Sequence, residues 1–204
     1  MNLDTTQLLA IAAALGWASG LRLYLVVFLT GLAGWLGWVE LPAGLTLLQH
    51  PMMLGASGFM LCIEFFADKI PGVDSLWDLL HTLIRVPAGA ALAAAVFGAD
   101  QATWATAAAL LGGTLAATSH VAKASTRAAA NASPEPFSNL GLSLLGDAAV
   151  PAALWLSWQH PLAFFAALAL ALLAMIGLIV FFAKFLRGLS KRASGRFATG
   201  AQHV

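Results

Sequence analysis

Two stripes of ionisable side chains interrupt an otherwise apolar sequence. The first has intervals of four, three and four residues and consists of Asp74, Asp78, His81 and Arg85. The second has intervals of three, four and four residues and consists of His120, Lys123, Arg127 and Asn131. Residues three or four positions apart lie on one face of an α-helix, so each stripe predicts a polar helix face. Acids on one face and bases on the next indicate either ion pairs between two helices or a polar vestibule that admits a solute or an ion.

The two stripes are expected to face each other, because the short loop between them predicts antiparallel neighbouring helices. At a rise of about 1.5 Å per residue, Asp74 lies level with Arg127, and Asp78 lies level with Lys123. The interpretation we favour is a structural ion-pair ladder formed by these four residues. The alternative is a vestibule in which the same side chains meet a solute.

Two further acids, Glu64 and Asp68, are one helical turn apart. Counted from the outer surface, Glu64 lies about as deep as Arg85, which predicts an ion pair between them. Arg22 is then available to pair with Asp68 or to bind a ligand. Charged groups inside a membrane are costly and mark substrate paths or relays. Glu64, Asp68, Arg85, His120 and Arg22 are therefore candidate residues for binding a substrate or an ion.

Asp147 is a further candidate of this kind, and it lies near the middle of a predicted helix. Its distance from the outer end of that helix at Trp158 is about 16 Å at the usual helical rise, and no cation is close to it in the sequence. An isolated carboxyl at that depth is a candidate for proton coupling or ion binding. The alternative is a neutral acid that hydrogen bonds to Asn139, Ser143 or a neighbouring helix.

A polar turn separates the second stripe from the helix that carries Asp147. Pro134 and Pro136 cannot continue a helix, so the chain breaks here. Non-helical backbone beside polar helices can line a cavity with free polar groups, and the alternative is a tight cytoplasmic turn. The candidate site residues of this turn are Asn131, Ser133, Pro134 and Asn139.

Composition indicates the elements that must position these residues. Of 204 residues, 60% are hydrophobic and 9% are charged, compared with about 25% charged residues in ordinary soluble domains. A transmembrane helix needs about 20 mainly apolar residues. We therefore expect an all-α fold, a polytopic transmembrane helical bundle of about seven helices. Polar, glycine and proline positions divide the chain into helices at residues 5–20, 22–39, 51–68, 74–98, 101–130, 137–158 and 161–188.

The ten Lys and Arg residues predict the orientation of the bundle. The connections that contain Glu40, Asp100 and His160 have none of them. Because Lys and Arg concentrate in cytoplasmic loops, we expect a multi-pass protein of the inner (plasma) membrane with its N-terminus outside and its C-terminus in the cytoplasm. The cations of the other connections and the tail are Arg22, Lys69, Arg85, Lys123, Arg127, Lys184, Arg187, Lys191, Arg192 and Arg196.

A weak internal repeat is also visible. The tripeptide Gln-His-Pro opens the third predicted helix at residues 49–51 and the seventh at residues 159–161. This pairing predicts a three-plus-one-plus-three plan, which occurs in transporters built from parallel repeats; chance similarity in an apolar sequence is the alternative. The predicted organisation is one transmembrane domain at 1–188, with repeats at 5–70 and 101–188 joined by the helix at 74–98, and a basic cytoplasmic tail at 189–204.

One continuous motif carries a family resemblance. The run from Glu64 to Asp78 reads Glu-Phe-Phe-Ala-Asp-Lys-Ile-Pro-Gly-Val-Asp-Ser-Leu-Trp-Asp and is followed by His81, Thr82 and Arg85. It resembles the signature of an uncharacterised bacterial multi-spanning membrane family, the domain of unknown function 4126. The second stripe and the polar turn resemble the second conserved block of that family. The resemblance covers most of the chain and implies no established activity.

The motifs that define common enzyme classes are absent. The sequence contains no P-loop, no His-Glu-x-x-His and no Gly-x-Ser-x-Gly. The function we expect is a small transporter or channel for an ion or small polar solute, with a polar cavity that faces the cytoplasm. One alternative is an intramembrane lipid or prenyl transferase that holds Mg²⁺ with Asp74, Asp78 and either Glu64 or Asp68. Another is a membrane scaffold without transport.

The expected partners follow from the same composition. They are the lipid bilayer and a small ion or solute, and helix faces rich in small residues leave a homo-oligomer open. No nucleic acid is expected, because the cations do not form a groove-sized patch. No cofactor is expected apart from the divalent cation of the transferase alternative. The single cysteine, Cys62, excludes a disulfide within one chain.

Overall fold

The computed structural model describes the backbone of residues 3–70, 73–131 and 136–200 and the side chains of 3–70, 73, 76–130 and 140–184. Within these residues the chain is helical and contains no strand, which confirms the predicted all-α bundle. The α-helices are α1 (Thr5–Trp35), α2 (Pro51–Ala67), α3 (Val73–Ala95), α4 (Ala102–Asn131), α5 (Pro136–Gln159) and α6 (Pro161–Gly200). Two short 3-10 helices, Ala43–Gln49 and Ala99–Gln101, precede α2 and α4.

The observed helices follow the predicted ones closely. The third to seventh predicted helices correspond to α2 to α6, and the first two together make up α1. Proline at the first position of α2, of α5 and of α6 begins each helix where its missing N–H is not needed. The helix predicted at 161–188 is longer than expected, because α6 continues to Gly200; the division into a transmembrane domain and a basic tail stays a prediction. The proposed repeat stays a prediction.

The break predicted near residue 21 is present inside α1. Arg22 has φ −149° and ψ 85°, which is not a helical conformation, and it divides α1 into a first half (residues 5–21) and a second half (residues 23–35). Asp4 caps the first half by accepting a hydrogen bond from the backbone N–H of Gln7 at 2.7 Å. The interruption therefore lies between two well-formed helical segments.

The two halves of α1 turn back on one another. Gly89 of α3 packs against the carbonyl oxygen of Gly16 in the first half, while the adjacent Ala88 lines a cavity with Val27 of the second half. Both halves therefore reach the same level of α3, and they meet at Arg22. At about 1.5 Å per residue they rise roughly 26 and 20 Å, less than the hydrocarbon core of about 30 Å. Arg22 thus occupies the tip of a short helical hairpin.

Close packing surrounds the first half of α1. The side chains from Ala10 to Leu15 are almost completely buried. A Cβ atom at Gly16 would overlap the backbone of Gly112 in α4, and one at Gly20 would overlap the carbonyl of Ala116. Small residues allow helix backbones to approach this closely. The hairpin is therefore held rigidly against α4, and its tip is fixed in place.

Not every described helix is long and apolar enough to cross a membrane. Within the described part, three helices are long and apolar enough to cross a membrane, and there are up to five if each bent pair counts as one span. The three are Leu140–Gln159, Pro161–Lys184 and Thr5–Trp35, the last counted at its full length although it turns back at Arg22. The bent pairs are Ala43–Gln49 with Pro51–Ala67, at 70°, and Leu76–Ala95 with Ala99–Ala130, at 95°.

Candidate functional site

Arg22 joins three elements at the break in α1. Its Nη1 lies 2.8 Å from Oδ2 of Asp68, the residue that caps the C-terminus of α2. Its Nε lies 2.7 Å from Oδ1 of Asp147 in α5. Its Nη2 donates to the hydroxyl of Ser143, also in α5, at 2.8 Å. Because the Arg22 side chain is only 1% exposed, these groups supply its charge and hydrogen-bond partners.

Asp68 is shared among three cations. Besides Arg22, its Oδ2 lies 3.0 Å from Nζ of Lys123 and 3.3 Å from Nη2 of Arg127, both in α4. Nη1 of Arg127 also donates to the backbone carbonyl of Asp68 at 2.8 Å. The carboxylate is completely buried. It therefore ties the tip of α1 to α2 and α4 through one anionic group.

Asp147 is not isolated, contrary to the sequence-based expectation. Arg22 lies beside one of its oxygens, and Nζ of Lys69 lies 3.3 Å from the other. Lys69 also donates to Ser143 at 3.4 Å. The expectation was wrong because both cations are distant in sequence and reach α5 only through the packing of α1 against it and through the turn that follows α2. We call Arg22, Asp68, Lys69, Lys123, Arg127, Ser143 and Asp147 the Arg22 cluster.

A second buried cluster forms around Arg85 of α3. Its Nη2 lies 2.9 Å from Oε1 of Glu64, and its Nη1 lies 2.7 Å from Oδ1 of Asp78. His120 Nδ1 is 3.3 Å from the same guanidinium. The sequence-based pairing of Glu64 with Arg85 is thus present. We call Glu64, Asp78, Arg85 and His120 the Arg85 cluster.

Lys123 connects the two clusters. Its Nζ lies 3.0 Å from Asp68 and 3.2 Å from Oδ1 of Asp78. Asp78 and Lys123 therefore lie at the same depth in the bundle, as predicted. The proposed partner of Arg127 in the ladder, Asp74, has a side chain outside the described residues. The side chains of Asn131 and Asn139, and the residues Ser133 and Pro134, likewise lie outside them.

The break in α1 leaves backbone carbonyls that other helices satisfy. Lys123 Nζ donates to the carbonyl of Leu21 at 3.0 Å, and the Ser119 hydroxyl donates to the carbonyl of Trp17 at 2.7 Å. Non-helical backbone at membrane depth is tolerated where protein or a cavity satisfies it. The cation of Lys123 therefore serves both the backbone break and the carboxylates around it.

Several buried polar atoms in the clusters lack a directed hydrogen bond. Nε and Nη1 of Arg22 are close to carboxylate oxygens, but their N–H groups do not point at them with hydrogen-bond geometry. Nε of Arg85, Oε2 of Glu64 and Oδ2 of Asp78 are also without a hydrogen-bond partner. Unsatisfied buried polar groups are rare in native structures and call for an explanation such as a ligand or water. Nε and Nη1 of Arg22 are nevertheless paired with carboxylates, 2.7 and 2.8 Å away.

A cavity of about 350 Å³ lies beside the Arg22 cluster. Its walls come from α1, α4, α5 and α6, with Asp68 following the end of α2. Its charged lining residues are Arg22, Asp68, Lys123 and Arg127. Its size is within the usual range for ligand-binding pockets. The candidate substrate-binding residues Arg22 and Asp68 thus share one space with Lys123 of the predicted ladder, whereas the candidates Glu64, Arg85, His120 and Asp147 do not line it.

Sequence reasoning missed the aromatic and hydroxyl groups that hold the histidines. Tyr24 Oη lies 3.2 Å from Nε2 of His81, whose ring stacks on Trp77 with centroids 4.0 Å apart. The Thr82 hydroxyl lies 2.8 Å from Nε2 of His120. The spacing of Trp77 and His81, one helical turn apart, was a usable signal. The position of Tyr24 opposite them depends on the reversal of α1.

The described residues contain no group of three or more His, Cys, Asp or Glu side chains placed to hold a metal ion. Buried carboxylates here face arginine and lysine instead. The apolar helices and the ion-paired clusters are those of a helical membrane protein. Residues 9–180 match the family model described as a domain of unknown function, DUF4126, so the chain belongs to that family. No curated protein and no solved structure matches it.

Proposed function

We propose that the protein is a membrane transporter for an anionic solute and that Arg22 is its main binding group. One observation carries the proposal: α1 is interrupted at a buried arginine that borders a cavity and is held there by two carboxylates and a serine. Transporter sites are typically formed by discontinuous helices near the middle of the bilayer. The two halves of α1, roughly 26 and 20 Å long, place Arg22 beyond the middle of a hydrocarbon core of about 30 Å, toward the end of the bundle that carries the cations.

The solute would compete with the carboxylates of the protein. Arginine presents planar donors that match carboxylate and phosphate groups, and Asp68 and Asp147 hold those donors in the present state. An anion entering the cavity would take over part of this pairing and release Asp147, whose side chain is 21% exposed and also pairs with Lys69. Exchange of partners at Arg22 would couple solute binding to the contact between α1 and α5.

The ion pairs of the buried carboxylates also bear on the two alternative functions, the transferase and the scaffold. A Mg²⁺-dependent transferase needs free carboxylates, but Glu64 and Asp78 both contact Arg85, and Asp68 contacts three cations. A scaffold without transport is supported by the dense pairing of the buried charges. It is the second candidate function, and it predicts that the Arg22 cluster never meets water.

The orientation we propose keeps the N-terminus outside and the C-terminus in the cytoplasm of an inner membrane. Arg22, Lys69 and Lys123 are within one cluster and therefore at one end of the bundle. Gln7 contacts the carbonyl of Trp158 at the other end of α5, at 3.3 Å. Concentration of cations at one end supports a cytoplasmic location for that end.

Solvent access to Ser143 tests transport against the scaffold. In a Cys62→Ser background, Ser143→Cys places a thiol beside Arg22, and Ser157→Cys places one on the same helix at a buried site away from the cavity. A transporter must open, so a charged methanethiosulfonate reagent should modify position 143 and leave position 157 unmodified. Equal protection of both thiols in membranes would favour the scaffold and contradict the proposal.

Flux measurements test the role of Arg22 directly. Proteoliposomes containing the full chain would be tested for uptake of labelled acetate, octanoate and phosphate. Arg22→Gln should abolish uptake of the transported anion, while Arg22→Lys should retain part of it because it keeps the charge without the planar donors. Uptake that is unchanged by Arg22→Gln would remove Arg22 from the transport site. Correct folding of both variants would be checked by their circular dichroism.

A further inference from the structure

The cavity beside the Arg22 cluster has two chemically different walls. One carries the charges of α1 and α4, together with Asp68, and the residues on it bond to one another. The other wall, formed by α6, is entirely apolar and consists of Ala171, Ala174, Met175 and Leu178. A site for a small polar solute would expose polar groups on all sides. This one is built to hold a charged group and a hydrocarbon together.

The apolar side of the cavity reaches the outer surface of the bundle. Leu145 of α5 and Leu178 of α6 both line it, and they are 66% and 40% exposed. In a membrane, that surface faces lipid. The cavity therefore has a hydrocarbon edge between α5 and α6, while its charged wall stays buried.

We propose that this cavity binds an amphipathic anion, an alkyl chain with a carboxylate or phosphate head. The head contacts Arg22 and Lys123, and the chain lies along α6 and leaves over Leu145 and Leu178. At about 30 Å³ for a water-sized group, the cavity holds roughly a dozen non-hydrogen atoms. The head and the first part of a long chain fit inside, and the remainder continues into lipid.

The charge of the head follows from the lining. Asp68 is the one carboxylate that lines the cavity among the described residues, and it already faces Lys123 and Arg127 as well as Arg22. Nε and Nη1 of Arg22 lie 2.7 and 2.8 Å from the carboxylates of Asp147 and Asp68, so an anionic head would bind by replacing one of these carboxylates. A neutral alcohol would accept fewer hydrogen bonds and would carry no charge to balance the cations. Charge-assisted hydrogen bonds are about twice as strong as neutral ones.

Competition for a spin-labelled fatty acid tests this ligand class. The full chain would be purified in an uncharged maltoside detergent, and the immobilised fraction of spin-labelled stearic acid would be measured by electron paramagnetic resonance. Palmitate or hexadecyl phosphate should displace the label at least about 10-fold more strongly than hexadecanol, because one charge-assisted contact contributes that much. Whichever of palmitate and hexadecyl phosphate displaces the label more strongly identifies the head group as carboxylate or phosphate. Acetate and inorganic phosphate should displace little.

A pair of glycine variants localises the binding. A Cβ at Gly146 would have ordinary contact with Nε of Arg22, so Gly146→Leu places its side chain in the cavity without disturbing the backbone. Gly141→Leu adds the same side chain on the same helix, outside the lining and with open space around it. We expect Gly146→Leu to abolish the immobilised signal and Gly141→Leu to leave it unchanged.

Three results would overturn the inference. They are equal displacement by hexadecanol, displacement by acetate that is as strong as by palmitate, and an immobilised signal that survives Gly146→Leu. The inference names the substrate class of the proposed transporter, but the two can fail separately. If the long-chain probe binds but the Ser143→Cys thiol is protected, the protein binds lipid without transporting it. If anions are taken up but the long-chain probe does not bind, the transport proposal stands and the amphipathic ligand is refuted.

Discussion

Replacing Asp68 by asparagine removes the one charge that three cations share. The carboxylate oxygen lies 2.8, 3.0 and 3.3 Å from nitrogens of Arg22, Lys123 and Arg127. At an effective dielectric constant of about 20, each contact has roughly 5 to 6 kcal/mol of Coulomb attraction before desolvation is subtracted. Removing one partner of a buried pair leaves the other charges uncompensated and costs about 3–5 kcal/mol. Arg22 keeps Asp147 and Lys123 keeps Asp78, but three cations each lose one contact together, so we expect a loss within that range.

The free energy of unfolding would be measured in mixed micelles by titration with sodium dodecyl sulfate, with helicity followed by circular dichroism. Asp100→Asn is the matched control, because it makes the same chemical change at an exposed position in a short 3-10 helix. We expect the control to change stability by less than about 0.5 kcal/mol, as surface substitutions usually do.

A small effect of Asp68→Asn would refute the reasoning. Exposed ion pairs contribute about 0–1 kcal/mol because water screens them. A loss in that range would mean that water reaches Asp68 and that the cluster is hydrated rather than dry. The buried charges would then no longer explain why the tip of α1 is fixed at that position.

Two further predictions concern packing and topology. Gly16→Ala should lower the free energy of unfolding by about 1–3 kcal/mol, because overpacking a close contact costs that much. The control Gly55→Ala, at an open position of α2, should change it by less than about 1 kcal/mol. Equal effects of the two variants in the unfolding titration would contradict the close approach of α1 and α4. Single cysteines at Lys69 and Asp100, in a Cys62→Ser background, should react with an impermeant thiol reagent from opposite sides of the membrane. Labelling of both from one side would rule out the proposed orientation.

Helix positions and two ion pairs were within reach of the sequence. Regular spacing along one helix and a fixed rise per residue were enough to place Glu64 beside Arg85 and Asp78 beside Lys123. Both inferences need only neighbouring antiparallel helices and depth counted along each. A break in α1 was also expected from the polar residues near position 21.

The arrangement of helices across the bundle was out of reach. Lys69 contacts Asp147 because α2 and α5 converge at the tip of α1, and no periodicity within either helix encodes that convergence. The cavity and its apolar wall on α6 have the same origin. The reversal at Arg22 depends on one backbone conformation, φ −149° and ψ 85°, which arginine and most other residues adopt without penalty. The residues near position 21 therefore indicated a break there but not this backbone conformation.

The buried position of Arg22 constrains how the chain is made. A ribosome delivers the α1 hairpin to the membrane before it has synthesised α2 or α5, so the guanidinium arrives ahead of both acids that neutralise it. An arginine opposes insertion by about 2.5–3.5 kcal/mol at the centre of a helix, and that figure is an upper bound for Arg22 at the tip of the hairpin. Nascent chains that end before Asp68 therefore carry a cation whose acidic partners have not yet been synthesised.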